Sequence, residues 1–241
     1  PYDQRYYRQW MHEIPPMRHL KRETVIDVHH AILPRTARIR ADSESMRTAA
    51  VPIAGFNNLF VFQPVDMVLH SATHLFHEGE FDKGLRDLVD LDLMLRHFGQ
   101  EAHFWPALVK RTMEVGLTRP LHYGLRYASR ILDTPVPEAV RAEAQAWGPA
   151  PPMRPLMDSL FARALHPNHP TASDRFTRFA RWMLYVRAHW LRMPAHLLVY
   201  HLTRKALRRD GEVQSAADRP APPNQPGVGK AENQGPRCGL N

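Results

Sequence analysis

PVDMVLHSATHLFHEGEFDKGLRDLVDLDLMLRHFG, residues 64–99, is the stretch that decides the fold class. Its apolar residues recur every three or four positions: Val65, Val68, Leu69, Ala72 and Phe76, then Leu85, Leu88, Leu91, Leu95 and Phe98. With 3.6 residues per turn, that spacing gathers them on one side of an α-helix and leaves the other side wet. Pro64 suits the first helical position, where its missing N–H costs nothing. Gly79 and Gly99 are natural stops. The reading is two helices, over about 64–78 and 82–97, joined closely enough to favour antiparallel packing.

Downstream the same logic predicts helices over about 104–115, 120–132 and 139–147, ended by Gly116, by Pro135 and Pro137, and by Gly148. Residues 148–155 are a proline-rich break. A helix over 154–165 and a loop at 166–170 follow. Ser173 or Asp174 can cap a further helix from Arg175, on which Phe176, Phe179, Met183, Val186 and Trp190 keep a three-four spacing. Pro194 should kink or end it, with another helical stretch to about 207. Residues 210–241 turn to Gly, Pro, Asn, Gln and Ala and are expected to be disordered.

Upstream, TVIDVHHAIL (residues 24–33) is the best strand candidate, since Val25, Ile26 and Val28 are β-branched and Pro34 closes the run. Alternation puts Ile26, Val28 and Ile32 on one face and Val25, Asp27 and His29 on the other. A short helix near 43–50 and a second apolar run at 58–62 complete the chain. The fold class expected is α+β and predominantly helical, with an antiparallel helical bundle and a basic C-terminal helix. Its divisions fall at 1–62, 63–147, 154–209 and 210–241.

The chain has 241 residues, 44% of them hydrophobic, enough for a real core. A formal net charge of +8 suits a polyanionic partner, whether a nucleotide, a nucleic acid or an anionic membrane; an arginine-rich surface with no such partner is the plainer reading. The single cysteine, Cys238, excludes an intrachain disulfide framework and a cysteine-based zinc site. It fits a reducing cytoplasm. No apolar run approaches the roughly 20 residues of a membrane-spanning helix, and no signal peptide is visible. The chain opens on Pro1 rather than Met, so a truncated N-terminus is expected.

Three groups of residues could carry chemistry, with His29 and Arg86 as accessories. Asp27 is a carboxylate presented mid-strand, the support that a metal-holding acid needs; an exposed acid on an edge strand is the competing view. His70 and His74 stand one helical turn apart, as metal-binding pairs do, with His77 close by. Asp87 and Asp90 on the next helix could fold back to complete a His/Asp cluster, or simply hydrogen bond the two helices together. His29 shares a strand face with Asp27 and could assist it. Arg86 could meet a phosphate or pair with Asp82 or Asp90. Residues 175–209 carry nine Arg/Lys and no Asp or Glu, interleaved with Trp182, Tyr185 and Trp190. Such a helix can lie on an anionic bilayer, bind nucleic acid, or pack its apolar stripe on the bundle with the arginines as its wet face.

Four segments in order, MHEIPPMRH (11–19), VIDVHHAILP (25–34), PVDMVLHSATHLFHEGEF (64–81) and GLRDLVDLDLMLRHF (84–98), resemble the uncharacterised nucleotidyltransferase family of bacteria. The likeness covers roughly residues 8–135; WLRMPAHLL (190–198) is also similar to C-terminal regions of such proteins. The resemblance implies a polymerase-beta-like core followed by helices, of which this chain would hold the last one or two strands of the sheet. It implies transfer of a nucleotidyl group from ATP or another nucleoside triphosphate to an acceptor, with Mg2+. In that superfamily a Gly-Ser segment and an Asp-x-Asp pair precede a third acid on a neighbouring strand, and Asp27 matches the third acid. No Gly-Ser segment and no Asp-x-Asp stand ahead of it; the one Asp-x-Asp, Asp90-Leu91-Asp92, comes later and in a helical pattern. The expectation is therefore a truncated chain, inactive alone, or a non-catalytic nucleotide- or partner-binding module, or a membrane-peripheral protein.

Overall fold

A computed structural model describes residues 12–14 and 17–194. The helix expected over 195–207 and the disorder expected over 210–241 lie outside the described residues, as do residues 1–11, 15 and 16. In chain order the elements are β1 (Met17–Arg18), β2 (Val25–Ile26), α1 (Ser43–Thr48), β3 (Val51–Pro52) and β4 (Phe60–Val61). Then come α2 (Pro64–His77), α3 (Gly84–Phe98), α4 (Phe104–Glu114), α5 (Thr118–Leu132), α6 (Glu138–Ala146), a 3-10 turn (Pro151–Met153), α7 (Arg154–Ala164) and α8 (Arg175–Arg192). The fold is α+β and mostly helical, as the apolar periodicity requires.

The strand expected over residues 24–33 is much shorter. Only Val25–Ile26 pairs as a strand, antiparallel to Met17–Arg18, and a single bridge joins His29 to Glu13. The partner sets the length: a strand persists only where a neighbour takes its N–H and C=O groups. Here the neighbour is the short segment before a tight turn whose Glu23 has φ 56°. Val25, Ile26 and Val28 stay exposed, so the alternation read from the sequence has no second layer to bury it. A second hairpin, Val51↔Val61 and Pro52↔Phe60, is equally exposed.

α2 is the central element. It packs against α3, α4 and α5, and Val68, Leu69 and Ala72 are fully buried. Gly124 of α5 lets the two helices close up, because a side chain there would sit 3.2 Å from Ala72 Cβ. Phe76, Tyr123, Tyr127 and Phe161 stack around that contact, which brings α7 into the same core. Asp66, fully buried in the first turn of α2, takes a two-pronged bond from Arg111 of α4 at 2.9 and 3.0 Å. The same guanidinium reaches Ser45 Oγ and the Ser45 carbonyl, tying α1 to the bundle.

α8 completes the core with a face other than the expected one. Thr177, Ala180, Leu184 and Ala188 are buried, whereas Phe176, Phe179, Trp182, Val186 and Trp190 are exposed. Small residues win because α8 crosses the end of α2 at close range: a side chain on Gly79, which has φ +80°, would lie 2.4 Å from Ala188 Cβ. Its arginines are not all wet either. Arg187 and Arg192 donate to the Phe76 and Glu78 carbonyls at the end of α2. In return Arg38 and Thr36 bond the Trp190, Leu191 and Arg192 carbonyls at the end of α8. Both helix ends thus gain partners for carbonyls that the helix itself leaves unpaired. None of the described helices is long and apolar enough to cross a membrane.

Candidate functional site

A group of ionisable side chains sits where the first hairpin meets the end of α2. Backbone bonds from Ile14 to the Val28 carbonyl, and from His30 and Ala31 to the His12 carbonyl, hold residues 12–14 alongside 28–31. That pairing sets Glu13 opposite His29, with His29 Nε2 3.5 Å from Glu13 Oε2. The His12 ring stands edge-on to the His29 ring, centroids 5.0 Å apart. On the helix side His74 Nε2 is 3.1 Å from Glu78 Oε2, and the other Glu78 oxygen is 4.0 Å from His12 Nε2.

Burial governs the protonation of this group. His12 is 6% exposed and its pKa falls to about 4, first because burial penalises the imidazolium and then because His29, Arg192, His30 and His74 crowd it with positive charge. His77, on the buried side of α2, falls to about 3 from burial, with Arg192, Arg187 and His12 adding to it. His70 is lowered by burial and by His74. Glu78 is raised by burial, an effect that His74 and Arg192 oppose. The buried imidazoles are therefore neutral near pH 7, the form that accepts a proton or binds an ion. His12 Nδ1 and both ring nitrogens of His77 are buried without a hydrogen-bond partner among the described residues.

The residues singled out in the sequence are distributed unevenly over this region. Asp27 is exposed, just past β2, with no hydrogen-bond or ion-pair partner among the described residues. His29 joins the cluster. His74 pairs with Glu78, and His70 lies between Phe62 and His74. Asp87 and Asp90 are engaged instead by Arg86, at 2.6 and 4.0 Å, so the acids of α3 serve their own arginine. Asp92 is buried, bonded by Thr134 and Arg96. The sequence reading missed His12, Glu13 and Glu78. Glu78 carried a usable signal, since residues 70, 74 and 78 step along one helix face. His12 and Glu13 carried none until the hairpin pairing was known.

The donor set bears on which metal could sit here. His12, Glu13 and His29 each offer one donor atom, all within 4.8 Å of one another; Asp27 is not in that group. Two nitrogens and one carboxylate do not fit Mg2+, which prefers an octahedron of oxygens. Magnesium would find a lone carboxylate in Asp27 among the described residues. The concave surfaces elsewhere lie along α5, α6 and α7 and are lined by Arg126, Arg130, Arg141 and Arg154, the first two already held by Asp158.

Comparison with known proteins gives one match. Residues 1–133 match the model of a family described as uncharacterised nucleotidyltransferase. No curated protein and no solved structure matches the chain.

Proposed function

We propose that this chain, which belongs to the uncharacterised nucleotidyltransferase family, serves the transfer of a nucleotidyl group from a nucleoside triphosphate to an acceptor, with Asp27 as the acid that faces the substrate. The observation that carries this reading is the exposed carboxylate of Asp27, just past β2 and without a partner among the described residues, within the matched segment. An acid without a partner at neutral pH is available to a reacting group; one held by an arginine, as Asp87 is, is not. In the reaction an acceptor oxygen attacks the α-phosphorus, the bond to the β-phosphate oxygen breaks, and pyrophosphate leaves. The acceptor hydroxyl must lose its proton, and Asp27 is suited to receive it.

Incubating the protein with triphosphates radiolabelled at the α-phosphate, a divalent cation and a cell extract as the source of acceptor tests the proposal. Label should pass to an acceptor with the wild-type chain and fail to pass with Asp27→Asn. Equal labelling by the two proteins would remove Asp27 from the chemistry. If Asp27→Asn and wild type bind nucleotide alike and neither transfers it, the chain is a binding module.

A second reading attaches to α8. Phe179, Trp182, Val186 and Trp190 form an exposed apolar stripe, with Arg175 and Arg178 on the same helix also exposed. Exposed aromatics beside arginines suit the interface of an anionic membrane. Flotation with vesicles containing phosphatidylserine should carry the protein upward at low salt, less so at high salt, and much less with Trp182→Ser/Trp190→Ser. An unchanged distribution at low salt would end this reading.

A further inference from the structure

We propose that His12, Glu13 and His29 bind a divalent transition ion of the zinc class, with three protein donors and a fourth position open to water or an anion. The proposal does not depend on nucleotidyl transfer. Its basis is the chemistry of the donors and their placement. Two imidazoles and a carboxylate are a set that Zn2+ takes readily and Mg2+ does not. The donor atoms are already within 4.8 Å of one another, and the closest pair, His29 Nε2 and Glu13 Oε2, is 3.5 Å apart. A tetrahedral ion at Zn–N of about 2.0 Å sets its ligands about 3.3 Å apart, so modest side-chain rotations close the site. The hairpin pairing fixes both strands, and only the side chains have to move.

A surface ion pair between His29 and Glu13 is the rival explanation, and it accounts for only two of the three groups. His12 is 6% exposed, and its Nδ1 has no hydrogen-bond partner among the described residues. A buried polar atom left so costs free energy, and an ion at the cluster would give the ring a partner. Glu78, whose Oε1 is 4.0 Å from His12 Nε2, stands where it can accept from the ring's other nitrogen and orient it. His74, bonded to the second Glu78 oxygen, holds that carboxylate in turn.

The test uses the whole chain, freed of metal by dialysis against a chelator. Zn2+ is titrated in competition with a chromophoric chelator, and Co2+ is titrated while its visible absorption is recorded. One ion per chain is expected, with the intense d–d bands of four-coordinate cobalt. His29→Gln and Glu13→Gln should each weaken binding about tenfold or more and abolish those bands. His97→Gln, on the surface of α3, should change neither. His29 and Glu13 are partly exposed, so both variants should fold, which far-UV circular dichroism checks; a misfolded one is set aside and the other decides. Binding that is equal in wild type, His29→Gln and Glu13→Gln would be adventitious and would overturn the site. So would cobalt spectra of six-coordinate intensity in the wild type. Neither result touches the nucleotidyl-transfer assay, so the two readings fail separately.

Discussion

Asp66 and Arg111 show how individual residues hold this fold. Asp66 is fully buried, and Arg111 meets both of its oxygens while also bonding Ser45. Removing the cation would strand a buried carboxylate, so Arg111→Met should cost about 3–5 kcal/mol in urea unfolding. A loss under 1 kcal/mol would mean that Asp66 finds another partner. His77 makes a prediction of opposite kind. Its folded pKa of about 3 lies below the ordinary imidazole value near 6.5, so the unfolded chain takes up the proton first. Its share of stability is present above about pH 6.5 and is lost as pH falls toward 3. The groups around it include Arg187, Arg192 and His12, and Glu78, whose raised pKa acts in the reverse direction. His77→Leu should therefore be no less stable than wild type at pH 7 and lose less stability between pH 7 and 4.5. An equal loss in the two proteins would clear His77 of any part in acid unfolding. Asp27, His29, His70 and His74 could be singled out from the sequence because each sits in a local pattern of strand or helix. His12 and Glu13 could not, since what makes them a cluster is a pairing across some seventeen residues that no local period encodes.

At the level of elements, α8 carries two apolar stripes of the same helical period. One is large and aromatic, through Phe176, Phe179, Met183, Val186 and Trp190; the other is small, through Ala180, Leu184 and Ala188. Hydrophobicity alone favours the first, and the structure buries the second, because the contact with Gly79 leaves no room for rings. Leu184→Ala should then cost about 2–4 kcal/mol, and Trp182→Ala no more than about 0.5 kcal/mol. Thermal unfolding of the two variants checks this, and a reversed order would put the aromatic face inside. The helices themselves were legible almost residue by residue, because Pro64, Gly79 and Gly99 punctuate strong three-four spacing. The strand over 24–33 was not. Its β-branched residues state a preference, but the length of a strand is set by its partner, and β1 contributes two residues.

Across the whole molecule, one core runs from Leu33 through α2, α5 and α7 to Leu184, with the hairpins set on its outside. The family match spans the hairpins and α1 to α5, and ends at Asp133 where α5 stops. The hairpin carrying Asp27 lies against the end of α2, where His12 comes within 4.0 Å of Glu78, and the acid itself is exposed. Asp27 is expected to take part in nucleotidyl transfer. Pyrophosphate release, measured with each of the four nucleoside triphosphates in the presence of an acceptor extract, tests it most directly. The rate should fall by about 100-fold or more in Asp27→Asn, with nucleotide affinity by equilibrium dialysis held within a few-fold; an Asp27→Asn protein that releases pyrophosphate at the wild-type rate would contradict it.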